Sequence, residues 1–213
     1  MSAKTKSIIF DFDGTLIDSA PSILTGFEHV LKINGIEPLI PLVSSIIGPP
    51  LFQTLKKLSG INDEKKILKM SEQFKEYYDL EACLLSKPYD DVDHGLKKLV
   101  EDNFELHIAT NKRCIPTKNI LRHLDWNNLF ASVYTLDQAG AAFQSKSEVI
   151  KKQVRDFTLP VDQVTYVGDR LEDMEAAQSN NLNFLGVSWG YGEFPSYVRI
   201  IKSFNQLNYL ASQ

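Results

Sequence analysis

Only two cysteines, Cys83 and Cys114, occur in this chain of 213 residues, and they do not form a CxxC pair. No disulfide framework or cysteine zinc site is indicated, so a reducing compartment, the cytoplasm, is the expected setting. No apolar run reaches the ~18 residues that a membrane-spanning helix needs. The basic opening MSAKTKS is followed by an apolar stretch far too short for a signal-peptide core. Positive charge is not in excess either. The 23 Lys and Arg stand against 27 Asp and Glu, and a net charge of −4 argues against a general nucleic-acid binder with a basic stripe. Internal repeats and low-complexity tracts are absent. The four histidines, His29, His94, His107 and His123, show no ligand spacing and read as structural or surface groups. What remains is an ordinary soluble composition, long enough for one large domain or for one domain carrying an insertion.

Within that composition, strand signals recur at wide intervals: Ser7–Phe10, Phe104–Ala109, Ser132–Thr135, Gln163–Val167 and Phe184–Trp189. Helical patterns lie between them. Gly95–Glu101 carries Leu96, Leu99 and Val100 at helical spacing. Pro116–Leu124 has proline at its first position. Ser145–Val154 opens with the capping pair Ser145 and Glu148, and Leu171–Gln178 places Leu171, Met174 and Ala177 three apart. Strand alternating with helix predicts an α/β fold, a doubly wound parallel sheet covered on both faces. One stretch breaks the alternation. From Leu16 to Ser86 the patterns are helical, with one stripe of Ile23, Phe27, Val30 and Leu31 and another of Ile67, Met70, Phe74 and Tyr77. The expected division is therefore a core of residues 1–15 and 87–213 with a small all-helical insertion over 16–86.

In an open parallel sheet, ligands bind beyond the carboxyl ends of the strands. Asp11, Asp13, Gly14 and Thr15 follow the first strand. Thr110 and Asn111 follow the second, and Asp169 and Asp173 follow the strand ending at Val167. Lys146 opens the capped helix behind the third strand. Each has an ordinary reading. Asp13-Gly14 makes a turn, Thr110-Asn111 caps a helix, and Asp169 is an N-cap with Glu172 three residues on. Asp173 suits a first helical turn, where the helix dipole favours a carboxylate. Lys146 fits less well, because a cation opposes that dipole unless an anion sits between it and the helix start.

Taken in order, DFDGTLIDS, the Thr-Asn pair, the isolated lysine and GDRLEDMEAA resemble the four motifs of the haloacid dehalogenase superfamily, in the DxDGT form of its magnesium-dependent phosphatases. The likeness spans the whole chain and extends to the helical insertion, which is similar to the cap of phosphoglycolate phosphatase-like members. It implies that Asp11 is a nucleophile forming an aspartyl-phosphate, and that Asp13 protonates the leaving oxygen and later activates water. Carboxylate attack on a phosphate is opposed by charge, about 4 kcal/mol for two unit charges ~4 Å apart at an effective dielectric near 20. The resemblance supplies Mg²⁺, held by Asp11, Asp169 and the Asp13 carbonyl, with Asp173 orienting a bound water or Lys146. Lys146, Thr110, Asn111 and the turn at Gly14 are then the phosphoryl cradle.

The implied activity is hydrolysis of a small phosphorylated metabolite, with no nucleic-acid or membrane partner, by a monomer or homodimer. A phosphomutase of the beta-phosphoglucomutase type and a non-catalytic phospholigand-binding protein are the alternatives. Asp13 argues against the dehalogenase branch, which lacks an acid there. Lys112 and Arg170 flank the motifs and read as solvent-facing charges, with contact to substrate as the alternative. Tyr191 follows the last strand at the same sheet edge, where it either lines the pocket or lies outside it. Gly48-Pro49-Pro50-Leu51 resembles the cap segment that faces substrate, or else serves as a turn between helices.

Overall fold

The computed structural model describes residues 6–138 and 143–211, so the basic opening Met1–Thr5 lies outside the described residues. In chain order the first elements are β1 (Ser7–Phe10), β2 (Ile17–Asp18), α1 (Ala20–Ile33), α2 (Leu51–Ser59), α3 (Glu64–Leu80) and β3 (Lys87–Pro88). Then come α4 (Val92–Glu101), β4 (Glu105–Thr110), α5 (Cys114–His123), β5 (Ser132–Thr135) and α6 (Lys146–Asp156). The last are β6 (Val164–Gly168), α7 (Leu171–Gln178), β7 (Asn183–Val187), β8 (Ile200–Ile201) and α8 (Phe204–Ala211). None of the helices among the described residues is long and apolar enough to cross a membrane.

The chain divides into two compact units, one of Met1–Asp18 with Pro88–Gln213 and one of Ser19–Lys87. The first is built on a parallel sheet of six strands in the order β5-β4-β1-β6-β7-β8. Strand β1 is central and buried on both faces, which is why Ile8-Ile9-Phe10 is an unbroken apolar run. Ile9 faces a cluster with Ala109, Tyr166, Val149 and Ile150 of α6, and Ala176 and Ala177 of α7. Phe10 points the other way, its ring 6.0 Å from that of Phe204 in α8. The sheet is thus covered on both sides. Register aligns the strand ends, since Phe10 lies opposite Ile108 and Val167. The residues just past β1, β4 and β6 therefore emerge together where strand order reverses, the crevice in which such sheets bind ligands.

The second unit contains α1, α2 and α3. Phe27 and Phe74 meet at 4.8 Å, Phe74 stacks on Tyr78 at 5.4 Å, and Val30, Leu55, Leu58, Ile67 and Met70 of the same three helices are buried. Gly26 is small because of Phe74: a Cβ there would come within 2.7 Å of its ring. Asp63 caps α3 by accepting the Lys65 and Lys66 amides at 3.0 and 3.3 Å. Outside the site, His29 stacks on Tyr77 at 3.7 Å and His107 is fully buried.

Three short strands were not anticipated. Two-residue β2 interrupts a stretch read as wholly helical, β3 marks the return, and β8 adds a strand beyond the expected last one. Pro116 is the third residue of α5 and not its first. It is tolerated there because amides of the first turn have no partner within the helix.

Candidate active site

Asp11 is fixed by the backbone before its side chain is considered. Its N–H donates to Val167 O at 2.9 Å, so the ladder of β1 on β6 runs one residue past the strand and the carboxylate leaves a rigid, buried position. The chain then turns tightly. Leu16 and Ile17 donate to Phe12 O, and the Gly14 amide donates to Ile17 O at 2.9 Å. Gly14 has φ +84°, and a Cβ there would come within 2.4 Å of Asp169 Oδ2, so both conformation and space require glycine. Thr15 Oγ1 donates to Asp169 Oδ1 at 3.3 Å.

The other two carboxylates come from the residue just past β6 and from the first turn of α7. Asp169 is not the N-cap of α7, as one reading of the sequence had it; Arg170 holds that position. Asp173, in the first turn of α7, reaches back instead. Its Oδ2 accepts the amides of Asp169 and Arg170 at 3.1 and 2.9 Å. Lys146 enters at the start of α6, whose N-cap Ser145 accepts the Glu148 amide at 3.3 Å. The Glu148 carboxylate takes the Gln144 amide in place of the Ser145 amide of a complete capping box. The Lys146 ammonium, 5% exposed, donates to Asp173 Oδ1 and lies 3.0 Å from Asp11 Oδ1.

Carboxylate oxygens of Asp11, Asp169 and Asp173 lie within 4.8 Å of one another, all buried, with Lys146 offsetting one of the three charges. Burial pushes the Asp11 carboxyl up to about 7 against the pull of Lys146, with Asp173 and Asp169 adding to the rise. Burial likewise raises Asp169 to about 6, although the Tyr191 amide opposes it. For Lys146, burial alone would lower the pKa, but the field of Asp11, then Tyr166 and Asp173, carries it well above its usual value. The buried surplus of negative charge fits a divalent cation, and an all-oxygen donor set suits a hard one. Asp11 Oδ1 accepts no well-aligned hydrogen bond, so it has acceptor capacity to spare. One oxygen of Asp173, by contrast, already serves two backbone amides. A cavity of about 630 Å³ opens at the opposite sheet edge among Lys6, Asp162, Asn183 and Arg199, and none of these carboxylates lines it.

A family model of haloacid dehalogenase-like hydrolases matches residues 8–187. The chain belongs to that family. It is 28% identical over 187 residues to a 5′-nucleotidase of Pseudomonas aeruginosa, the match covering 87% of this chain and 84% of the relative. With a phosphoglycolate phosphatase of Colwellia psychrerythraea it shares 30% over 203 residues, covering 86% and 84%. Among solved structures, a candidate phosphatase from Clostridium difficile superposes with a TM-score of 0.85 at 27% identity, covering 98% of this chain and all of that one.

Asp11, Gly14, Lys146, Asp169 and Asp173 converge in this haloacid dehalogenase-like core. Thr110 ends β4, buried, its Oγ1 accepting the Lys112 amide at 3.2 Å. Asn111 is turned to Glu172, donating to Oε1 at 2.9 Å, and is exposed. Lys112 corrects the expectation of a solvent-facing charge: its side chain is 5% exposed and its ammonium meets Asp13 at 2.9 and 3.2 Å. Arg170 is partly exposed, 5.8 Å over the ring of Tyr191.

Sequence reading also underrated the loop after β7. The Tyr191 amide donates to Asp169 Oδ2 at 2.8 Å, its hydroxyl bonds Asp18 Oδ1 at 2.9 Å, and Trp189 Nε1 donates to Thr15 O at 3.1 Å. The signal was present as the two glycines of Trp-Gly-Tyr-Gly. A Cβ on Gly190 would fall 2.2 Å from Asp169 Cβ, and one on Gly192 2.4 Å from Asp169 O.

Proposed function

We propose that this chain is a Mg²⁺-dependent phosphatase that hydrolyses a small phosphate monoester through an aspartyl-phosphate on Asp11. The observation that carries the reading is the cluster itself: a carboxylate anchored at the end of a central strand, 3.0 Å from a buried lysine and beside two further buried aspartates. In this reading Asp11 attacks phosphorus in line, and strand anchoring supplies the positioning on which phosphoryl transfer depends. Lys146 and Thr110 bind phosphoryl oxygens and stabilise the charge that builds there. Asp13 gives a proton to the departing oxygen, then takes one from the water that cleaves the intermediate. Mg²⁺, held by Asp11, Asp169 and the Asp13 carbonyl, would neutralise the clustered charge and polarise the phosphoryl group. Asp173 keeps Lys146 and the Asp169 backbone in place. The helical unit Ser19–Lys87 is read as the cap that selects substrate.

The named relatives act on a phosphoglycolate and on nucleotides, which sets the probes. Purified protein with Mg²⁺ should release phosphate from at least one of 2-phosphoglycolate, 5′-nucleoside monophosphates, sugar phosphates and 4-nitrophenyl phosphate. Asp11→Asn should abolish release, and EDTA should suppress it reversibly. Sustained turnover by Asp11→Asn would remove the covalent mechanism. Silence of the wild type across the whole panel would favour a phospholigand-binding protein, and isomerisation of a sugar phosphate without net release a phosphomutase.

A further inference from the structure

Among the described residues the buried lysines are Lys112 and Lys146, and each meets a different aspartate of the Asp11-Phe12-Asp13 motif. Lys146 is accounted for by the cluster above. Lys112 is not, and its placement is unusual for a residue just past a strand. Its side chain is 5% exposed while that of its partner Asp13 is 26% exposed, so the cation lies deeper than the anion. Burial of an ammonium is tolerated only with a partner. Here Asp13, one such partner, lies 99 positions away in the chain.

Asp11 and Asp13 are held by different means. Asp11 extends a strand ladder, whereas Asp13 sits in the turn after it, with a single isolated bridge to Ile17. The Asp13 carboxylate receives the ammonium on both oxygens, at 2.9 and 3.2 Å, a contact that fixes the carboxylate in place and in rotation. Lys112 is itself held at its root by the bond from its amide to Thr110 Oγ1 at 3.2 Å. The rigid edge of β4 thus reaches across to set a side chain carried by a turn.

We propose that Lys112 is a positioning residue that holds the Asp13 carboxylate where the leaving oxygen departs, so that proton delivery to that oxygen depends on it. The proposal rests on the phosphatase reading above. The step it serves is balanced within that reading: the Asp11 oxygen bonds phosphorus, the ester P–O bond breaks, the proton of the acid form of Asp13 passes to the departing alkoxide, and the carboxylate left behind is the one that the Lys112 ammonium meets.

The test follows from leaving-group chemistry. An alkoxide departs poorly without a proton, whereas 4-nitrophenolate departs as a stable anion. Wild type, Lys112→Met and Lys112→Arg are assayed with Mg²⁺ on 4-nitrophenyl phosphate and on the best alkyl phosphate of the panel. Lys112→Met should lose about tenfold or more in kcat on the alkyl ester, a small share of the 10²–10⁴ that general acid catalysis supplies, with KM nearly unchanged and about threefold or less lost on the aryl ester. Lys112→Arg should recover part of the alkyl loss. The alkyl-to-aryl ratio is taken on one preparation, so a partly unfolded variant does not distort it. Equal losses on both esters, or a rise in KM alone, would overturn the proposal while leaving the phosphatase reading intact. Absence of wild-type turnover on the aryl ester and on every alkyl ester of the panel would overturn both together.

Discussion

At the scale of single residues, packing around Asp169 leaves little room for variation. Gly190→Ala would drive a methyl group to 2.2 Å from Asp169 Cβ and 2.5 Å from Gly14 O. The expected result is a loss of about 1–3 kcal/mol in denaturant unfolding, the usual cost of overpacking, with weaker Mg²⁺ binding by calorimetry. His107 makes a different prediction. It is fully buried in β4, its Nδ1 2.8 Å from Ser132 Oγ, and burial lowers its pKa from 6.5 to about 4. Below about 6.5 the unfolded chain takes up a proton that the folded chain excludes, so stability rises with pH between about 4 and 6.5. This contribution is whole above that window and is lost progressively on acidification, about 3 kcal/mol in all. The raised Asp11 and Asp169 carboxyls act in the opposite sense over part of the same window, so the His107 share is read as a difference: from pH 7.5 to pH 5 the wild type should lose about 2 kcal/mol relative to His107→Gln in denaturant unfolding. The sequence marked His107 as structural but could not show its depth. Lys112 was read as solvent-facing for a related reason: nothing in the order Thr-Asn-Lys says which way a long side chain runs once the strand ends.

At the scale of elements, α6 matters most, because its first residue is Lys146. Ser145→Ala removes the side-chain acceptor for the Glu148 amide and should cost about 1 kcal/mol of stability, read by denaturant unfolding. Elements of four residues or more were legible where the pattern was strong. Ser132–Thr135 and Leu171–Gln178 were read with their observed bounds, and Ser145 was recognised as a cap. The two-residue strands β2, β3 and β8 were not legible, since two residues cannot display a period. Leu171 belonged to the expected apolar stripe of α7 yet is exposed, because that helix buries Asp173 and Met174. A carboxylate occupies a core position there, as happens where function competes with packing.

Over the whole molecule, the buried acidic cluster should make stability depend on metal. A cation that binds only the folded state adds stability by mass action, about 2.7 kcal/mol at a hundredfold excess over Kd. Thermal unfolding should therefore shift upward with added Mg²⁺ and return with EDTA, and Asp169→Asn should lose most of the shift. That variant should also match or exceed the wild type without metal, because one member of a crowded set of like charges is gone. The convergence of these groups was readable from the sequence, because carboxylates, hydroxyl and ammonium fall at strand ends that a parallel sheet brings together. The loop at Tyr191 was harder to read, since its contribution to Asp169 is a backbone amide, and any residue but proline carries one.

The two places where the chain leaves the sheet unit and comes back are joined at their roots, the Tyr89 amide donating to Leu16 O at 3.1 Å. Geometrically this is a socket. A foreign segment of different length and shape could be grafted between Asp18 and Pro88 with the strands undisturbed, since insertions succeed where the two ends lie close together. In the proposed reading of that module as a cap, new specificities are to be sought by exchanging it alone, while the aspartates stay as they are.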